Sequence, residues 1–333
     1  MALCRPSRVQ AGRPRCFARS RGSRMDLASR VAMSLRLPVF LVFLLAAGSA
    51  FGQLDQRAGL NGLQDVELSE LSQQDDNPLG KTALALHPED WKHAEGEHFI
   101  YHYTRSFVAS RAAVEAEFNF RVVAKELEKE EPASNRKSHL YIFDRPDDWA
   151  EFQKFGLLER WTGGIHSAGS LFLLRDPSYK FSGHALGHEI AHLFIYRCYG
   201  SSVPCWLNEG FAEYVSRNSR ASYQRARGYL AKPHSYSFDP EDVIPLAQLM
   251  ALPKPPTDRV TDYYDESERL VRFLARTDKS RFLNLLDALG RKETFDDAFA
   301  RVYAGTFASR TDFEEKFREY ASKDFGTTLQ DQE

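Results

Sequence analysis

The sequence predicts an α+β protein, with a mixed β-sheet and helices in an N-terminal lobe, an all-helical C-terminal lobe and a cleft between them. Two observations predict this class. Between residues 98 and 174, short segments rich in aromatic and aliphatic residues alternate with stretches of helical apolar spacing. Beyond residue 215 every periodic segment has helical spacing, and loops containing proline or glycine separate these segments.

The elements of the first lobe follow from local sequence. Residues 98–104 and 139–143 predict strands, since both are rich in residues that favour extended backbone. Residues 106–129 have helical apolar spacing, and a short helix over 146–155 begins with proline. Residues 170–174 predict a third strand. The second lobe is predicted to contain helices at 218–230, 245–251, 262–276, 279–290, 294–303 and 311–322.

The N-terminal residues differ from the rest of the chain in charge. The whole chain of 333 residues has a formal net charge of −2, whereas its first 52 residues contain nine arginines and one aspartate. The remaining residues are therefore acidic, which argues against a nucleic-acid partner. Residues 37–47 form an apolar run between Arg36 and a group of small residues. That layout is typical of a secretory signal peptide, and an uncleaved membrane anchor is the alternative.

We therefore expect an exported protein, periplasmic or extracellular, with no stable membrane insertion after signal cleavage. Residues 53–87 are polar and without periodicity, which predicts a flexible linker. The predicted organisation is an N-terminal extension with signal peptide at 1–52, the linker at 53–87, the first lobe at 88–215, the helical lobe at 216–326 and a tail at 327–333.

Two cysteines follow the predicted signal peptide, Cys198 and Cys205. In the oxidising setting of an exported protein, a disulfide between them would close a short loop. We predict this bridge, and two free or buried thiols are the alternative.

Residues 188–192 form an H-E-x-x-H motif. Side chains four residues apart on a helix leave the same face, so His188 and His192 are placed to bind one zinc ion. Glu189 lies on the flank of that face, where it is suited to activate a water rather than to be a ligand. The alternative is a helix that carries two histidines by chance. The apolar residues of this stretch gather on the opposite side, which argues against that alternative.

A catalytic zinc site needs a third protein ligand. A histidine six residues after His192 is excluded, because Cys198 occupies that position. The other completion is a glutamate on a following helix. Glu209 lies seventeen residues after His192, in the segment W-L-N-E-G-F-A-E-Y at 206–214.

This segment, following H-E-x-x-H, resembles the gluzincin zinc metallopeptidases of the peptidase MA-like group and is distantly similar to the M1 aminopeptidases. The resemblance implies a zincin-like metallopeptidase fold, one Zn²⁺ per chain, Glu209 as third ligand and Glu189 as general base. Glu213 faces the same way as Glu209 and is either a competing ligand or the acceptor of the free N–H of a zinc-bound histidine. M1 enzymes place two more residues between the second histidine and the glutamate, so the connecting loop differs.

Other positions are candidates for binding substrate. Tyr264 resembles the tyrosine that stabilises the oxyanion in this superfamily, with Tyr263 as the alternative; a core or surface tyrosine pair is equally compatible with the sequence. His184 and His166 are predicted to contact substrate, or else are solvated side chains. The strand at 170–174 resembles the edge strand that pairs with a bound peptide, although its continuous apolar sequence also fits an interior strand.

The sequence therefore predicts an exported zinc metallopeptidase that acts on a peptide or protein substrate. Two alternatives remain: a catalytically inactive zinc-containing protein that binds peptide or envelope components, and a zinc hydrolase of a non-peptide bond. The segment G-x-M-E-N, with which M1 enzymes bind a free amino terminus, is absent, and this disfavours aminopeptidase activity.

Overall fold

A computed structural model describes residues 63–129, 136–156, 158–159, 162–175, 183–228 and 243–323. The predicted signal peptide and the predicted tail lie outside these residues. Among the described residues, every helix is too short or too polar to span a lipid bilayer.

The described residues contain a mixed sheet of strands β1 (Lys92–Glu95), β2 (Phe99–Tyr103), β3 (Ser138–Phe143), β4 (Gly164–Ser167) and β5 (Ser170–Leu174). Their order across the sheet is β1-β2-β3-β5-β4. The three central strands are parallel, and the two outer strands pair antiparallel to them. The central strands are the three predicted from sequence, because strands covered on both faces are rich in aliphatic and aromatic residues. The outer strands are short and more polar, and neither was predicted.

Most helices agree closely with the predicted ones, but the helix at Pro78–Ala85 was not predicted and lies in the predicted linker. In chain order they are α1 (Pro78–Ala85), α2 (Ser106–Glu126), α3 (Pro146–Gly156), α4 (Gly183–Tyr199), α5 (Cys205–Ala226), α6 (Leu246–Ala251), α7 (Val260–Thr277), α8 (Lys279–Gly290), α9 (Phe295–Val302) and α10 (Arg310–Lys323). The predicted helix at 218–230 is corrected: its described residues belong to the second half of α5. No proline interrupts the chain between Cys205 and Ala226, so a single helix of 22 residues forms.

The predicted linker is also corrected for its described part. Residues 63–87 pack against the sheet instead of forming a flexible segment. Asp75 accepts hydrogen bonds from the hydroxyls of Tyr141, at 2.9 Å, and Ser170, at 2.8 Å. Asn77 caps α1 by accepting from the Leu79 amide at 3.0 Å, and its own amide nitrogen donates to the Ser167 carbonyl at 2.7 Å. The polar residues of this segment are therefore ordered by bonds to the sheet.

One face of the sheet and most of the helices share a continuous hydrophobic core. On that face Tyr101 of β2 lies beside Leu140 of β3, which lies beside Leu171 of β5. The core extends from these residues through α2, α4, α5 and α7 as far as Phe313 of α10. The opposite face packs against α1 and α3. The division into two lobes with a cleft between them stays a prediction.

Three buried histidines form a chain across one face of the sheet. His102 on β2 contacts His93 on β1 through their Nδ1 atoms at 2.8 Å, and its Nε2 lies 2.8 Å from Nδ1 of His139 on β3. Burial lowers the pKa of all three rings. For His93 it outweighs the nearby carboxylates of Glu67 and Asp65, for His139 it outweighs that of Asp75, and the pKa of His102 is lowered further by the two neighbouring histidines. The folded protein therefore holds these rings neutral.

We expect the contribution of these three histidines to the free energy of unfolding to fall as the pH drops below about 6.5, the ordinary histidine pKa that the unfolded chain recovers. Below that pH the unfolded chain binds more protons than the folded one, so stability present above it is lost at about 1.4 kcal/mol per pH unit for each histidine. Urea unfolding at several pH values between 8 and 5 measures the slope of the free energy of unfolding against pH. His102→Gln should make it shallower, and His87→Asn, at an exposed histidine, should not. Equal slopes for the wild type and His102→Gln would contradict this reading.

Candidate metal centre

Two helices bring three candidate ligands together. His188 and His192 lie one turn apart on α4, and Glu209 lies in the second turn of α5. Helix α4 ends at Tyr199. The next residue, Gly200, has a φ of +71°, a backbone conformation that favours glycine. The chain then turns and begins α5 after Pro204. This short connection places the first turns of α5 beside the second half of α4.

The three donor atoms form a nearly equilateral triangle. The two imidazole Nε2 atoms are 3.0 Å apart. Glu209 Oε2 lies 3.3 Å from Nε2 of His188 and 3.3 Å from Nε2 of His192. Ligands about 2.0–2.1 Å from a tetrahedral zinc ion are separated from each other by about 3.3–3.4 Å. Glu209 Oε2 is also buried without a hydrogen-bond partner among the described residues, so the donor set fits a zinc ion.

The far side of each imidazole is held by a polar side chain. Nδ1 of His192 lies 3.0 Å from Oδ1 of Asn208, and Nδ1 of His188 lies 3.1 Å from Oε1 of Glu213. These contacts favour the tautomer that carries its proton on Nδ1, which leaves Nε2 free to bind a metal. Glu213 thus faces Nδ1 of His188, whereas Glu209 faces Nε2. Asn208 was not among the site residues predicted from the sequence, although it directly precedes Glu209 in the N-E-G segment.

The carboxylates of the site differ in pKa. Burial acts to raise the pKa of Glu209, but His192 and His188 outweigh this and hold it well below its usual range. The pKa of Glu213 is likewise held low, since hydrogen bonds with His184 and His188 outweigh burial. Burial raises the pKa of Glu189, and the nearby histidine charges do not reverse this. Glu189 is therefore a better proton acceptor than the other two carboxylates.

Glu189 lies against the outer strand β4. Its side chain is 8% exposed and accepts a hydrogen bond from the backbone of His166. A Cβ added to Gly164 would lie 3.0 Å from both Cγ and Oε1 of Glu189, so only glycine leaves this carboxylate undisturbed. Strand β5 is interior, which corrects the expectation that residues 170–174 are the edge strand. Within the described residues, β4 is the outermost strand on this side.

Of the two candidate tyrosines, Tyr264 lies at the site. Its ring centroid is 5.9 Å from that of His188, and it lines the same cavity. Burial, with the charges of the nearby glutamates, raises its pKa, so the hydroxyl stays protonated. Tyr263 is fully buried beside Cys205.

The two further histidines also line the cavity, which has a volume of about 560 Å³. Nε2 of His184 lies 3.2 Å from Glu213 Oε2, and its Nδ1 lies 2.9 Å from the Ser216 hydroxyl. His166 packs against Tyr196 with ring centroids 5.2 Å apart. Burial lowers the pKa of His166 to about 3, so this ring is neutral.

The predicted disulfide is absent from the structure, in which Cys198 and Cys205 are both free thiols. The two cysteines have different neighbours. Cys198, in the last turn of α4, is close to Lys129 and Asp287, whereas Cys205 begins α5 beside Tyr263. Burial raises the pKa of both thiols.

A second group of potential ligand atoms lies at Glu97, His98 and Glu117. Its polar atoms already have protein partners. Glu117 accepts hydrogen bonds from the amide of His98 and the hydroxyl of Tyr101, each at 3.1 Å. Glu97 forms an ion pair with Arg121 at 2.6 Å. This group therefore fits a set of ion pairs better than a metal site.

Comparisons with known proteins do not assign the chain to a family. No family model matches it, and no curated protein matches it. Among solved structures, it is similar to an M1 zinc metallopeptidase mutant from Deinococcus radiodurans, with a TM-score of 0.37 and 9% sequence identity. The match covers 78% of this chain and 51% of that one, so the chain spans about half the length of that protein. The likeness is distant.

Proposed function

We propose that this protein is an exported zinc-dependent peptidase. One observation carries the proposal: two imidazole nitrogens and a carboxylate oxygen converge within 3.3 Å of one another beside a buried glutamate. The donor types and their number are those of a catalytic zinc site, which keeps one position for water or substrate. Export rests on the signal-like sequence of residues 37–47.

The residues have distinct roles in this proposal. His188, His192 and Glu209 would hold the ion, which when bound supplies Lewis-acid polarisation of the scissile carbonyl and of the attacking water. Glu189 accepts the proton of that water and later gives it to the leaving amine. The Tyr264 hydroxyl donates a hydrogen bond to the oxyanion that forms on the carbonyl. Asn208 and Glu213 keep the two imidazoles oriented.

Strand β4 is the proposed binding edge for an extended peptide. Its inner side pairs with β5, and Gly164 of β4 contacts Glu189. A peptide that added a strand to the outer edge would bond through its main chain and lie beside Glu189 and the metal ligands. This mode fits substrates with an extended segment and does not depend on a free amino terminus.

The experiment that tests the proposal is cleavage of a diverse peptide mixture by the mature protein. Zinc-loaded protein should generate new termini, a chelator should stop this, and added zinc should restore it. Binding of peptides without new termini would favour the inactive peptide-binding alternative. No cleavage by zinc-loaded protein, or cleavage that the chelator leaves unchanged, would contradict the proposal.

Two neighbouring glycines give a matched pair of variants. We expect Gly164→Ala to lower turnover severalfold, to about tenfold at most, because its Cβ would displace the Glu189 side chain slightly and a misplacement of about 1 Å in an active site costs about 10²-fold. A Cβ on Gly163 meets no atom within 4 Å, so Gly163→Ala should keep turnover near the wild-type value. Zinc content should be unchanged in both. Equal turnover of the two variants would show that the contact has no role in catalysis.

A further inference from the structure

A line of charged side chains leads away from the candidate metal centre. Oε1 of Glu213 lies 3.1 Å from Nδ1 of His188. Arg217, one turn further along α5, places Nη2 2.8 Å from the other carboxylate oxygen of Glu213. The same Nη2 lies 2.6 Å from Oδ1 of Asp265 on α7. A single guanidinium thus joins the residue that orients His188 to a second helix.

Asp265 directly follows Tyr264, whose ring lies 5.9 Å from that of His188. Arg217 is also 3.6 Å from Glu268, one turn further along α7. The side chains of Arg217 and Glu213 are only 16% and 9% exposed, so water screens the ion pair between them little, whereas Asp265 is 26% exposed. The line therefore runs from a candidate ligand on α4, through α5, to the segment of α7 that carries the tyrosine.

The backbones of α5 and α7 approach closely at Gly210. A Cβ at this position would collide with the carbonyl oxygen of Ser267, so glycine permits this approach. The helix spacing is thereby fixed by backbone contact.

We propose that Arg217 is a positioning residue that couples the orientation of His188, through Glu213, to the placement of Tyr264, through Asp265. This inference rests on the proposed function for the role of Tyr264. Arginine suits the position because its planar group has several donors and stays charged when shielded from water. Lysine would keep the charge but offers a compact group that cannot reproduce the same fork.

The two halves of the line are tested by separate variants. Arg217→Met should lower zinc affinity, measured by competition with a chelator, by about tenfold. This is the lower end of the usual effect of removing a group bonded directly to a metal ligand, because Arg217 acts through Glu213. It should also shift the visible absorption spectrum of the cobalt-substituted protein. Arg217→Lys should recover part of the affinity. Asp265→Asn should lower kcat with little change in KM or zinc affinity, because Arg217 keeps its ion pair with Glu213 in this variant and only its contact with α7 is weakened.

Matched controls lie on the same helices. Asp262, one turn before Asp265, forms an ion pair with Arg259 at 2.9 Å, and Asp262→Asn should leave kcat unchanged. Arg220 is exposed on α5, and Arg220→Met should leave metal affinity unchanged.

If Arg217→Met lowers only the melting temperature, with zinc affinity and cobalt spectrum unchanged, Arg217 is merely structural and the inference is overturned. The affinity and spectral measurements need no peptide. If the wild type itself cleaves no peptide, the proposed function fails, and these two measurements still decide whether Arg217 supports His188.

Discussion

Glu189→Gln should lower peptide turnover by about 10²- to 10⁴-fold, the range that general base catalysis supplies, while the protein keeps its zinc. Glutamine has nearly the same shape as glutamate, so the packing against Gly164 is preserved. Its amide cannot accept the proton of the attacking water. Glu189 also lies outside the group of three donor atoms, so its charge is not needed to hold the ion.

The measurement is kcat on a cleaved peptide, together with zinc content of the same preparation. Glu151→Gln, at an exposed glutamate on α3, is the control and should match the wild type. Turnover within tenfold of the wild type in Glu189→Gln would remove Glu189 from the role of base. Loss of zinc from this variant would instead show that the carboxylate contributes to metal binding.

His192→Ala should reduce zinc affinity by far more than the roughly 100-fold that marks loss of a supporting residue. The substitution removes one of three donor atoms and leaves Nε2 of His188 and Oε2 of Glu209 unable to complete a catalytic zinc site. Peptide cleavage should be lost with the metal. Affinity is measured by competition with a chelator of known strength.

His184→Ala is the matched control, because His184 lies on the same helix and lines the same cavity but contacts Glu213 and Ser216. The zinc affinity of this variant should fall by no more than the roughly 10- to 100-fold expected when a side chain that orients a ligand is lost. Equal loss of affinity in both variants would mean that His184 competes with His192 as a ligand.

Local features of the sequence predicted the helix that carries the two candidate histidine ligands. The positions of His188 and His192 follow from a four-residue separation on a helix, which needs no tertiary information. The position of Glu209 could not be predicted in this way, since it lies seventeen residues after His192 and beyond a turn. No local rule brings the two together, and only the resemblance of the N-E-G segment indicated it.

The features that sequence analysis missed depend on distant partners. Strand β4 has four residues and begins at the second glycine of a pair, and its extended conformation is defined by pairing with β5. Asp75 and Asn77 lie in a stretch that has the composition of a linker, yet their partners on the sheet lie between 66 and 95 residues further along the chain. The disulfide was predicted from the short separation of Cys198 and Cys205 and from the oxidising setting of an exported protein. Neither observation specifies the direction in which a cysteine side chain points.

The most direct test is X-ray absorption at the zinc edge of the purified, zinc-loaded protein. We expect one zinc per chain, surrounded by four nitrogen or oxygen atoms at about 2.0–2.1 Å, with the outer scattering of two imidazole rings. A sulfur atom at about 2.3 Å, or scattering from a different number of imidazoles, would contradict the ligand set His188, His192 and Glu209. Protein that takes up no zinc would contradict the metal centre itself.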